Sequence, residues 1–385
     1  MNRPLLACGA LLFLGVLVLG FALAFHYLYR PDYRDREQRK DVAALTADLR
    51  AWSDDVKVAA AAALAEKGPE ARSAAPALAG LLRSRNENVR LNATIALGKI
   101  GKDAVPEVAK LAQDPDDDVR YYSIWALGLA GRDTLAADPA VLGALADPKP
   151  EVRRKAAWAV GQIKPEGAEP ALAKALQDTD VDVRQAAADS LGKLGPAAVP
   201  ALAEALKQTD PDVRREALAA LGAIGSDAAD AVPAMMELLH DNNADIVWHA
   251  SQALVKVGKV ALPALTAALR DASADLRHQA VEALAQMGPA AVPVLVDALK
   301  EKNADVRRNA AQRLGTLGVD DKLVILSLAT ALQDDDAQVR LAAVGSLTNF
   351  GASARDAVPA LRKAANDKDA TVRQQARVAL QIIQP

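Results

Sequence analysis

From residue 41 onward the apolar and polar positions of the chain return in register every 30 to 33 residues. Each copy reads as an acidic turn, a Val-Arg pair or its equivalent, an Ala/Leu helix that ends in Gly, and a second helix entered near Val-Pro. The arginine slot falls at Lys57, Arg90, Arg120, Arg153, Arg184, Arg214, Val247, Arg277, Arg307, Arg340 and Arg373. A period of this length holds two helices and two turns, too short for three helices of ordinary length. The pattern predicts an all-α chain of about eleven two-helix repeats, each burying its apolar face against its neighbours.

Comparing the copies with one another sharpens the prediction. The residue before the slot is always Val, Ile or Leu. The third residue after it is Ala, except Ser123, and the seventh is Leu, except Val160. The tenth is mostly apolar, as in Ile100, Ile163, Leu194, Ile224 and Phe350. These positions share one face of a 3.6-residue helix and form the predicted core. The small third position lets paired helices approach closely. Asp180, Asp210, Ser273, Asn303, Asp336 and Asp369 stand where an N-cap side chain satisfies free backbone N–H groups. Gly68, Gly101, Gly131, Gly195, Gly225, Gly258, Gly288, Gly318 and Gly351 stand where a helix is terminated by a left-handed residue. The slot lies at the edge of the core face near the next acidic turn. A ladder of Asp–Arg contacts between repeats is expected, broken once at Val247.

Ahead of the repeats the pattern changes. Leu5 to Phe25 is an uncharged apolar run of 21 residues, about 31 Å as a helix and matched to a bilayer core of about 30 Å. His26, Tyr27 and Tyr29 follow at the expected interface. Residues 1–29 are therefore expected to form a transmembrane anchor, 30–40 a charged linker and 41–385 the repeat domain. Ala22-Leu23-Ala24 also has the form of a signal-peptide cleavage site, and cleavage after Ala24 is the alternative, with an exported domain. Arg30, Arg34, Arg36, Arg39 and Lys40 outnumber Arg3 and the amino terminus on the other side. As an anchor, the run is thus expected to leave the repeats in the cytoplasm.

Asp182-Val183-Arg184 through Val199-Pro200-Ala201-Leu202 resembles the HEAT-like repeats named after phycobilisome lyases, and the resemblance covers residues 41–385. It implies a right-handed α-α superhelix of the HEAT/armadillo kind, a solenoid in which the second helix of each repeat lines a concave surface. It implies nothing definite about activity. The Trp/Tyr and Thr-Pro-Leu-His signatures of tetratricopeptide and ankyrin repeats are absent. Aromatics are only 3% of the residues, which suits closely packed helices better than a sheet.

The first and fifth positions after the slot point away from the core face. The fifth reads Asp189, Gln252, Glu282 and Gln312 in later copies but Ile95, Trp125 and Trp158 in the second, third and fourth. The first reads Leu91, Tyr121 and Arg154 there, with Tyr122 beside them. Trp, Tyr and Arg are enriched at binding hot spots, and contiguous exposed apolar surface marks interaction sites. These residues are the leading candidates for a protein-binding surface. Trp248 and His249 form a smaller candidate in the seventh repeat.

Catalytic signals are thin. His26, His240, His249 and His278 are followed by Tyr, Asp, Ala and Gln, so the His-Glu pairs of HEAT-like iron hydroxylases do not occur. The one cysteine, Cys8, lies in the apolar run. No phosphate loop or dinucleotide fingerprint is present. No catalytic residue, metal ligand or cofactor is expected. Net charge is −3, and Arg154, Lys155, Arg215 and Arg308 are separated by Asp189, Glu216 and Glu282. No continuous basic track forms, so nucleic acid is not an expected partner. The sequence points to a membrane-tethered scaffold for a protein partner; a lyase- or hydroxylase-related enzyme and a nucleic-acid binder are the alternatives.

Overall fold

A computed structural model describes residues 40–132 and 135–384. The helices alternate short and long and fall into two compact units, one ending at Ala168 and one beginning at Glu169. The first unit contains α1 (Val42–Asp48), α2 (Asp54–Lys67), α3 (Ala75–Leu81), α4 (Glu87–Ile100), α5 (Val105–Ala109), α6 (Asp117–Ala130), α7 (Asp138–Gly143) and α8 (Pro150–Ile163). The second contains α9 (Glu169–Ala175), α10 (Val181–Leu194), α11 (Val199–Ala205), α12 (Pro211–Ile224), α13 (Val232–Glu237), α14 (Ala244–Val257), α15 (Leu262–Ala268), α16 (Ala274–Gln286), α17 (Val292–Ala298), α18 (Ala304–Leu317), α19 (Lys322–Ala331), α20 (Ala337–Phe350), α21 (Val358–Ala364) and α22 (Ala370–Ile383). The even-numbered helices carry the arginine slot. The apolar run Leu5–Phe25 and linker residues 30–39 lie outside the described residues. Among the described residues, no helix is long and apolar enough to cross a membrane.

The local signals act as the sequence predicts. Asp180, Asp210, Ser273, Asn303, Asp336 and Asp369 each accept a backbone N–H in the first turn of the following helix. Gly101 ends α4 at φ 76, and the other predicted terminators also have positive φ. The fourth repeat differs. There Lys164 ends α8 at φ 55, the one non-glycine with positive φ among the described residues. A Cβ in the left-handed region costs roughly 1 kcal/mol. Lys164→Gly is therefore expected to stabilise the protein, by up to about 1 kcal/mol, measurable by denaturant unfolding; a loss of stability would mean that the lysine side chain contributes more than its backbone strain removes.

Packing follows the repeat positions. The third residue after each slot, from Ala60 and Ala93 through Ala343 and Ala376, is fully buried, and Leu64, Leu97, Leu191 and Leu254 mark the buried seventh. Within each unit, neighbouring long helices pack closely while neighbouring short helices touch only sparsely.

Two devices hold the long-helix layer together. At two of the glycines eight residues after the slot, Gly128 and Gly315, a side chain would collide with the next long helix. A Cβ on Gly128 would lie 2.9 Å from the Ala159 Cβ, and one on Gly315 would lie 2.6 Å from the Ser346 Cα. The slot arginine is the second device. Its Nη1 donates to the carbonyl six residues earlier, at 2.7–2.9 Å, clasping the repeat's own turn. The same guanidinium reaches the next repeat's acid. Arg120 forks onto Asp147, Arg307 onto Asp334 and Arg340 onto Asp367 through Nε and Nη2. Arg90, Arg184 and Arg214 reach Asp118, Asp212 and Asp241 with Nη2 only.

The expected ladder is therefore real, but besides Val247 it is broken at Lys57, which pairs with Asp54 of its own helix, and at Arg277. Val247 has no charge to offer. Arg277 clasps its own turn through Asp271 and Ala272, while Glu301, the acid it would need, is taken by Arg270 at 2.9 Å. The glycine device is missing in the repeats of Val247 and Arg277, where Val255 and Ala285 occupy the eighth position. Within the second unit, α14 and α16 are the most loosely packed pair of neighbouring long helices.

A candidate protein-docking site on α6 and α8

The aromatic residues singled out by the sequence come together, with a cation among them. On α6, Tyr121 and Trp125 lie one turn apart, with ring centroids 6.0 Å apart in an edge-on arrangement. On α8, Trp158 rests its indole against Gly128 of α6, so closely that only a residue without Cβ fits beneath it. The Lys155 ammonium stands over all three rings, 4.4 Å from the Trp125 centroid and 5.2 Å from those of Tyr121 and Trp158. A desolvated cation over aromatic faces gains about 2 kcal/mol. Arg154 adjoins the Tyr121 hydroxyl, and burial pushes that hydroxyl's pKa above its ordinary value.

The surface differs from a row of free indoles. Trp125 and Trp158 are half-buried rather than exposed, because Lys155 covers their faces and Trp158 is seated on Gly128. Tyr122 is removed from the surface altogether, at 5% exposure. Its position, the second after the slot, turns it under the Arg90 guanidinium, 5.0 Å from the ring centroid. Its hydroxyl donates to Glu87 Oε1 at 3.4 Å. Burial, with the Glu87 charge next, pushes that hydroxyl up to about 12. Tyr122 is thus a packing residue that stacks on Trp125 at a centroid distance of 6.1 Å and fixes its plane.

Apolar surface continues beside the cluster. Ile95 of α4 is 37% exposed and Leu129 of α6 is 41% exposed. Leu91 and Arg154 are half-buried. Leu129 was not among the sequence candidates, because it lies nine residues after its slot on the flank of the helix. It packs over Gly98, and that glycine is the signal that could have found it. The sequence places Lys155 only in the interrupted row of basic residues. Its position over the rings depends on the offset between adjacent long helices, which no single repeat encodes. Trp52 is almost completely exposed in the turn between α1 and α2; it lies off the repeat rows.

The smaller candidate belongs to the second unit. Trp248 is 57% exposed and meets the His249 ring edge-on at 4.7 Å. The imidazole is held on its own helix, with Nδ1 2.8 Å from the Asp245 carbonyl. His278 stands beside Asn309. Among the described residues, no group of three His, Cys, Asp or Glu side chains gathers as metal ligands would.

Paired helices in which a repeated Arg clasps its own turn and reaches the next define an α-solenoid. The chain belongs to the HEAT repeats family, whose model matches residues 42–128, 137–209, 170–255, 199–285, 262–329 and 325–385. No curated protein matches the sequence. Among solved structures, the karyopherin Kap121p bound to the extreme C-terminus of the protein phosphatase Cdc14p is similar, with 15% identity and a TM-score of 0.53, covering 95% of this chain and 47% of that one. Kap121p alone is similar at 15% identity and a TM-score of 0.52, covering 94% and 47%. An engineered protein shares 23% identity over 90% of this chain and 99% of its own, at a TM-score of 0.35. The chain spans about half the length of Kap121p, and the likeness is one of fold.

Proposed function

We propose that this protein is a membrane-tethered scaffold that holds a protein partner against the long-helix layer of its N-terminal unit. The observation that carries this reading is the convergence of Tyr121, Trp125 and Trp158 beside exposed Ile95 and Leu129. Two of the chain's four tryptophans meet there. Large rings with an apolar flank supply the anchors typical of binding hot spots. That Kap121p, with a similar fold, has been solved bound to Ste12p and to the Cdc14p C-terminus is in keeping with a partner-binding role.

The membrane part of the proposal rests on Leu5–Phe25, and the excess of basic residues after that run favours a cytoplasmic repeat domain. Protease added to intact cells should then leave the repeats uncut, whereas cutting without lysis would place them on the outer side.

Trp125→Ala is the test of the docking site. Loss of a hot-spot tryptophan costs at least about 2 kcal/mol of binding, roughly a 30-fold weaker complex. Helix content should be unchanged and the melting temperature only slightly lower. Trp158→Ala is the less discriminating variant, because it also empties the space above Gly128. Undiminished partner binding by Trp125→Ala would remove α6 from the site.

A further inference from the structure

The ammonium of Lys155 is the unusual group in this cluster. It lies among three aromatic faces, and no carboxylate reaches it: no ion pair or hydrogen bond of its Nζ occurs among the described residues. Elsewhere the molecule treats partly buried cations differently. Arg120, Arg307 and Arg340 each fork onto an aspartate of the next repeat. Burying a charge is costly unless it is paired. The ring faces replace only part of the lost hydration, and the neighbouring Arg154 charge opposes the ammonium further. Burial, with Arg154 next, lowers the amine to about 8. The position thus combines a cation that has no counter-ion among the described residues, a second cation beside it and three aromatic walls.

We propose that Lys155 is the recognition point for an acidic side chain of the partner, a Glu or Asp carboxylate that seats on the Lys155 ammonium with Tyr121, Trp125 and Trp158 as its walls. The assignment rests on the docking reading above and gives it a chemistry. Charge complementarity decides against a cationic partner side chain, which would have to displace Lys155 and sit beside Arg154. The acidic group completes the pairing that the slot arginines find within the fold. Part of its attraction survives salt, because the pair is shielded by the rings.

The test uses the full-length chain in detergent, with Trp52→Phe and Trp248→Phe so that emission reports Trp125 and Trp158 alone. Hexaglutamate and hexalysine peptides are titrated in parallel. The expected result is a saturable emission change with hexaglutamate, none with hexalysine, and at least about tenfold weaker hexaglutamate binding by Lys155→Met, which keeps the length and packing of the side chain. NMR of the lysine ε-carbons, which needs no variant at position 155, should show the Lys155 titration moving up from about 8 when hexaglutamate is present. Preferential binding of hexalysine, hexaglutamate binding unaffected by Lys155→Met, an unmoved Lys155 titration, or no saturable change with either peptide each overturns the proposal. Failure here with partner binding still lost in Trp125→Ala leaves the docking site and removes its acidic chemistry. Hexaglutamate binding with a fully competent Trp125→Ala removes the docking site instead.

Discussion

Replacing Gly315 with valine is expected to lower the stability of the protein by at least about 3 kcal/mol, at the upper end of what overpacking costs. At this position α18 meets α20 with no room for a side chain. A Cβ would lie 2.6 Å from the Cα of Ser346, and backbone cannot step aside as the end of a flexible chain can. The Ser346 hydroxyl is also committed, donating to the Ala311 carbonyl at 2.8 Å across the same joint. Relief requires the two helices to separate, which opens the buried layer on both sides. A melting temperature lower by about 4 °C is expected for a structure of this size. Gly345 provides the control. It lies on α20 facing open space, so Gly345→Ala should stabilise slightly, by up to about 1 kcal/mol, because alanine loses less chain entropy in a helix. Equal effects of the two substitutions would show that the close approach at Gly315 is not a constraint.

The second large effect is expected at Asp367. Arg340 is 3% exposed and gives Nε and Nη2 to this one carboxylate, both at 2.8 Å. Asp367→Ala removes the counter-charge and leaves the guanidinium enclosed with only the Asp334 and Asp335 carbonyls to bind. Stranding a buried donor or charge in this way costs about 2–3 kcal/mol. The same pair makes stability depend on pH. The hydrogen bonds from Arg340 hold the Asp367 carboxyl below the usual carboxylate range. The unfolded chain therefore binds a proton at this site before the folded one does. The resulting stability is fully present above pH ~4 and is lost as the pH falls through the depressed folded value. Urea midpoints measured from pH 6 to pH 3 should fall less steeply for Asp367→Ala than for the wild type. An identical acid limb in the two proteins would show that the pair is not coupled to folding.

Much of the architecture was legible because each repeat is a nearly complete statement of itself. Asp180, Asp336 and Asp369 announce helix starts, the glycines announce ends, and the Val/Arg/Ala/Leu positions fix the buried face. Eleven copies of that pattern act as their own comparison. What the pattern could not carry is the offset between copies. Tyr122 and Trp125 look like neighbours on one surface, yet one is packed beneath Arg90 and the other faces outward. Lys155 reads as a solvated cation until α8 is laid against α6, when it meets three rings. The glycines of the Leu-Gly pairs were legible as sequence but not as contacts, since Gly128 acquires its meaning only from the indole of Trp158. The ladder shows the same limit. Val247 is visibly missing its charge, whereas Arg277 looks intact and fails because Arg270 has taken Glu301. The division after Ala168 also has no counterpart in the repeat spacing; the preceding turn, where Lys164 stands in place of a terminating glycine, is the irregularity nearest to it.

The central claim is that a protein partner lies on the long-helix layer at α6 and α8. Hydroxyl-radical footprinting of the protein, alone and in the complex recovered from native membranes, tests it most directly. The account predicts that Tyr121, Trp125 and Ile95 lose reactivity in the complex while exposed side chains of the short helices α5 and α7 keep theirs. Protection of α5 and α7 with Trp125 and Ile95 still reactive would contradict it.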